Sequence, residues 1–160
     1  MPEKSTAAPR LFGDLLARAR LAWVHQMASR LEREGFSDYR RSDAAVLRVL
    51  RHGPVPVGQL TAVLGATRQA ARKVVDGLAS RGFARTERDV RDSRKLNVVL
   101  TPSGESYAQA VIEAIEALNR ELAQRTDPDQ LAAAEAVLRA VIAAEAEVAL
   151  NSGLSRLGPE

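Results

Sequence analysis

Residues 60–104 constrain this chain more than any other stretch. Leu60–Leu64 reads as a short helix ending at Gly65, which suits a left-handed turn residue because it has no Cβ. Thr67 then caps a basic helix that runs to Arg81. Ala70, Ala71, Val74, Val75 and Leu78 recur at helical spacing and form its apolar face, leaving Arg68, Gln69, Arg72 and Lys73 outside. Gly82-Phe83 opens a hairpin with arms Phe83–Arg88 and Lys95–Leu100 and a tip reading Asp89-Val90-Arg91-Asp92-Ser93-Arg94. Leu96, Val98 and Leu100 alternate as a half-buried strand requires. Helix, tight turn, helix and charged hairpin predict a winged helix-turn-helix, a unit that places one helix in a DNA major groove.

The flanks predict the rest of the architecture. Leu11, Leu15, Ala19, Trp23, Met27 and Leu31 recur every four residues, one apolar stripe on a helix ending near Gly35. A second helix begins at Ser42 as cap and runs to His52, where Gly53-Pro54 stops it. Pro54-Val55-Pro56 lacks two ladder donors and predicts a minimal edge strand beside the hairpin. Thr101 caps a fifth helix with Pro102 at its first position. Asp127-Pro128-Asp129-Gln130 opens a sixth. The fold class is therefore mainly α with a small β-hairpin wing. The organisation expected is a disordered tail over 1–10, a dimerisation helix over 11–35, and a winged helix-turn-helix DNA-binding domain over 36–100. C-terminal dimerisation helices over 101–150 and a frayed tail over 151–160 complete it. The end helices are too long to bury their apolar faces on a small winged helix, so a second copy of the chain is the expected cover.

Charge separates these regions. The net charge of +3 conceals nine Lys/Arg against four acids over 66–95, and three Arg against nine acids over 101–150. A polyanion is drawn to the first region and repelled by the second. With no cysteine, disulfides and thiol chemistry are excluded, which is compatible with a reducing cytoplasm. His25 and His52 are the only imidazoles, so no metal site and no cofactor are expected. The start of the chain has one Lys and no apolar core, which does not read as a secretory signal. A phosphate-binding glycine loop, a Gly-x-Ser-x-Gly elbow and clustered His are missing from the sequence, so no enzyme is expected.

Side-chain chemistry assigns expected roles. Thr67 and the free N–H groups of its helix suit a phosphate. Gln69 suits adenine, Arg68 or Arg72 suits guanine, and Lys73 suits a phosphate. Arg94 at the wing tip, backed by Arg91, suits a narrow A·T-rich minor groove. Arg85 and Arg88 flank the wing as backbone contacts.

With these residues in hand, the chain resembles the MarR family of bacterial transcriptional regulators from about Leu11 to Leu150. The resemblance rests on Thr67-Arg68-Gln69-Ala70 through Leu78–Gly82, and on Asp92-Ser93-Arg94 followed by Leu100-Thr101-Pro102-Ser103-Gly104. Arg72 departs from it, standing where many members carry a small polar residue, so base preference does not transfer. The resemblance implies a homodimer that reads a pseudo-palindromic operator, a repressor role, and in many members release from DNA by a small aromatic or phenolic effector. It implies that Asp92 organises the wing by holding an arginine. It also implies a ligand site between the dimer helices and the winged helix, lined here by Trp23, Met27, Tyr39 and Leu47. A winged helix used only for protein contact, without specific DNA binding, is the alternative reading.

Overall fold

The structure, a computed structural model, describes residues 11–90, 92 and 95–154, with side chains as far as residue 145. The expected tail over 1–10 and the last residues of the frayed tail lie outside the described residues. Among the described residues, six α-helices and three short strands follow in the order expected for a winged helix. They are α1 (Phe12–Arg33), α2 (Arg41–Leu50), β1 (Val55–Pro56), α3 (Leu60–Leu64) after a 3-10 turn (Val57–Gln59), and α4 (Arg68–Ser80). The wing strands β2 (Ala84–Arg88) and β3 (Leu96–Leu100), then α5 (Pro102–Arg125) and α6 (Pro128–Leu154), complete the chain. The chain divides into two units, one ending at Glu116 and one beginning at Ala117.

In the first unit, β3 is the central strand of an antiparallel sheet ordered β1-β3-β2. Val55 pairs with Val98 and Pro56 with Asn97, so the proline-bounded piece is an edge strand, as its missing donors require. Met27 and Leu31 of α1, Val46 and Leu47 of α2, Leu60 of α3, Leu78 of α4 and Val98 of β3 are fully buried. Each such side chain contributes about 1.5–3 kcal/mol relative to exposure.

The end of the wing is tied to the start of α5 by the Leu-Thr-x-x-Gly segment. The Thr101 hydroxyl donates to the carbonyl of Gly82 at 2.6 Å and accepts from the Gly104 N–H at 3.0 Å. The Thr101 N–H donates to the carbonyl of Phe83 at 3.1 Å. A Cβ on Gly104 would sit 1.8 Å from that same carbonyl oxygen, so only glycine allows the close approach.

Helix ends follow the expected chemistry with one correction. Gly65 takes φ +56° after α3, and the Thr67 hydroxyl accepts the Ala70 N–H at 3.2 Å. Asp127 accepts the Asp129 N–H at 2.8 Å, and Gln130 reaches back to the Asp127 N–H at 3.3 Å. At α2, however, Ser42 is inside the helix and Arg40 is the N-cap. Asp43 provides the capping carboxylate by accepting the Arg40 N–H at 3.1 Å. An acid three residues into a helix satisfies an orphan donor better than a serine already past the cap.

The apolar stripe of α1 is buried only near its C-terminal end. Leu11 and Leu15 remain 62% and 58% exposed. In the second unit every described side chain from 132 to 145 is exposed, Val137, Leu138, Val141 and Ile142 included. Even so, among the described residues no helix is long and apolar enough to cross a membrane.

Candidate nucleic-acid interface

The outer face of α4 is built by its own periodicity. Ala71, Val75 and Leu78 turn inward, which leaves Arg68, Gln69, Arg72 and Lys73 exposed in the first two turns. Among the described residues, Arg68, Gln69 and Lys73 have no side-chain hydrogen bond or ion pair, so their donors stay available to a ligand. Arg72 lies 4.0 Å from Asp76, and both side chains are about two-thirds exposed. An exposed pair at that distance holds little energy and yields readily to a stronger anion. Thr67 uses an oxygen lone pair for capping, and its hydroxyl proton remains free to donate to a phosphate.

Shallow clefts flank this face. One, of about 340 Å³, is lined by Val57, Gly58, Thr61, Arg68 and Arg72. Arg72 also lines a neighbouring cleft with Lys95 and Leu96, so α4 and the base of the wing meet there. On the other side Lys73 shares a cleft of about 410 Å³ with Arg40, Arg41 and Arg81 over an apolar wall containing Leu64, Ala66, Ala70 and Val74.

The turn of the wing is closed through a residue the sequence did not single out. Asp89 accepts the Asp92 N–H at 3.0 Å through Oδ1 and the Asn97 side-chain amide at 2.8 Å through Oδ2. Backbone bonds from Asp89 to Lys95 and from Lys95 to Asp92 close the turn. The Asp92 carboxylate stands 3.7 Å from the Lys95 ammonium. Arg91 and Arg94 lie outside the described residues, and so does any arginine contact of Asp92 made through them. Arg85 is bound along its own strand by Glu87 through two hydrogen bonds of 2.8 and 2.6 Å, while Arg88 stays exposed.

Arg81, which charge counting placed with the basic face, serves a different purpose. Its guanidinium forks onto Asp43, Nη1 to Oδ2 at 2.8 Å and Nη2 to Oδ1 at 2.9 Å. It also donates to the carbonyls of Asp38 and Gly77, both at 2.9 Å. Tyr107 of α5 donates its hydroxyl to Asp43 Oδ2 at 2.8 Å. Asp43 is fully buried, and with the Arg40 N–H both its oxygens are satisfied. The hydrogen bond to Asp43 holds the Arg81 guanidinium more firmly protonated than an isolated one. Burial, then the Asp43 charge, pushes the Tyr107 hydroxyl well above the usual phenol range. The ring of Tyr107 stacks on Phe83 at 4.3 Å and tilts against Phe36 at 5.1 Å. The only sequence trace of this cluster is an acid in the first turn of α2; its partners lie 38 and 64 residues away.

Of the four residues expected to line an effector site, Met27 and Leu47 are fully buried. Trp23 and Tyr39 are half-buried. Burial, then the charge of Asp43, raises the Tyr39 hydroxyl.

Comparison with known proteins agrees with this geometry. Residues 37–95 match the MarR family. No curated protein sequence matches the chain. Among solved structures, the PcaV transcriptional regulator from Streptomyces coelicolor, in complex with its natural ligand, superposes with a TM-score of 0.70 and 23% identity. The match covers 87% of this chain and 99% of PcaV. A MarR mutant from E. coli complexed with operator DNA gives 0.68 and 21%, covering 82% of this chain and 94% of that one. BpsR of Bordetella bronchiseptica, whose DNA binding is regulated by 6-hydroxynicotinic acid, gives 0.67 and 22%, covering 82% and 93%. Residues 37–95 thus resemble the MarR family, and the fold of the chain is the one these solved transcriptional regulators share.

Proposed function

We propose that the chain is a homodimeric, sequence-specific DNA-binding transcriptional regulator, a repressor that reads a pseudo-palindromic operator. The observation that carries this reading is the basic outer face of α4, where Arg68, Gln69 and Lys73 are exposed without partners among the described residues, beside a capped helix N-terminus. Surface cations left unpaired on a structured helix suit a polyanion. In this reading Gln69 and Arg68 or Arg72 address base edges, and Thr67 and Lys73 hold phosphates. Arg94, backed by Arg91, enters the minor groove, and Asp92 organises the wing. The bare apolar faces of α1 and α6 support a dimer, because exposed leucine, isoleucine and valine gain most from a second copy.

Release by a small aromatic or phenolic ligand is the further part of this reading. It is supported by the 6-hydroxynicotinic acid that regulates BpsR, by the natural ligand bound to PcaV, and by Trp23 and Tyr39, which keep some exposed surface.

A salt titration of binding tests the proposal, using a duplex from the gene's own upstream region against a scrambled duplex. Each neutralised phosphate adds about −0.9 to the slope of log affinity on log salt. A slope of about −4 or steeper is expected for a dimer using several such contacts. A flat slope, or no binding at low salt, would reject DNA binding and favour a winged helix that only contacts protein.

A further inference from the structure

The clasp formed by Asp43, Arg81 and Tyr107 joins four segments: the connector before α2, the first turn of α2, the end of α4 and the second turn of α5. Two kinds of force hold α4. Its apolar face packs through Ala71, Val75 and Leu78, an attraction without direction that permits the helix to tilt and slide. The fork of Arg81 on Asp43 is directional, since two parallel bonds fix both distance and angle. It acts only at the C-terminal end of α4. The N-terminal end, which carries the candidate base-reading residues, borders the open clefts described above.

A 13-residue helix is about 20 Å long, so a tilt of about 10° at the clasp moves the first turn by about 3.4 Å. That displacement is about one base step along a strand. We propose that Asp43, Arg81 and Tyr107 are positioning residues that set the angle between α4 and α5 and thereby select the separation of the two half-sites. This inference rests on the DNA-binding reading above. The buried Tyr107 hydroxyl ties that angle to α5, the helix that runs on to Arg125.

The test uses the full chain and duplexes carrying two half-sites whose separation changes one base pair at a time, together with a duplex carrying one half-site. Tyr107→Phe keeps the ring on Phe36 and Phe83 and removes only the donated bond. Arg81→Lys keeps the charge and removes the fork. A charge-assisted hydrogen bond is worth roughly tenfold or more in an equilibrium constant. The wild-type protein should therefore prefer its natural separation by about tenfold over its neighbours. Either folded variant should flatten that preference to about threefold while binding the single half-site within about twofold of wild type. Variants that keep the wild-type spacing preference overturn the inference, as do variants that lose the same factor on every duplex. A wild-type protein that binds DNA without a spacing preference overturns it too. Failure of the wild-type protein to bind any duplex at low salt rejects the DNA-binding reading instead.

Discussion

Arg72 in α4 and Arg81 at its C-cap, nine positions apart, have opposite fates. Arg81 is 13% exposed and chelated by a buried carboxylate, while Arg72 is 71% exposed and only loosely drawn to Asp76. A buried charge requires a partner with good geometry, because its desolvation costs several kcal/mol. An exposed charge carries no such requirement, so it can be left open for a ligand. The same residue type therefore stands in two states, paired and buried at the C-terminal end of α4 and open at its N-terminal end, where the proposed function places the reading of bases. Lys73, exposed without a partner among the described residues, belongs with Arg72; Arg85, tied to Glu87, is partly withdrawn from the reading set.

The largest effect expected from this contrast concerns stability. Asp43→Ala strands Arg81 and should cost about 3–5 kcal/mol in denaturant unfolding. Lys73→Ala should stay within about 0.5 kcal/mol. Comparable losses for the two would erase the distinction between holding and reading charges. Next in size is a loss of function confined to DNA. Gln69→Ala should weaken binding by about 1–3 kcal/mol on the cognate duplex and leave random DNA unchanged. An equal loss on both would make Gln69 a backbone contact.

The smallest effect sharpens the holding end alone. The Tyr107 hydroxyl is raised above its ordinary value of 10.0 by burial first and by the Asp43 charge second. The folded state therefore retains the proton where the unfolded chain releases it. Its contribution is complete below about pH 10 and declines as pH rises beyond that, by at most about 1.4 kcal/mol per unit. The melting temperature of the wild-type protein should fall more steeply above pH 10 than that of Tyr107→Phe. Parallel curves would show that Tyr107 does not titrate in this way.

Local signals fixed much of the architecture. Gly65, Thr67, Thr101 and Asp127 mark helix boundaries because their turn and cap chemistry acts within a few residues. The alternation of Leu96, Val98 and Leu100 placed β3, and the proline pair placed β1 at an edge. Locality also explains the misplaced start of α2: Ser42 and Asp43 both suit a helix N-terminus, and the choice between them depended on the Arg40 N–H that Asp43 accepts.

The exposed face of α4 was legible for the same reason, since helical periodicity alone turns Arg68, Gln69, Arg72 and Lys73 away from Ala71, Val75 and Leu78. Three assignments were not legible. Arg81 counts as one more cation in a basic run until Asp43, 38 residues earlier, comes within 2.8 Å of it. Asp89 looks like any acid in a turn until Asn97 returns across the hairpin to bind it. Lys95 joins Arg72 at one cleft only once the wing has folded beside α4. The sequence by itself thus determined the elements, their caps and the sign of the charge on each region, because these depend on neighbours along the chain. Only the tertiary structure decided which charges are consumed in holding the fold and which remain open, because desolvation and pairing depend on neighbours in space.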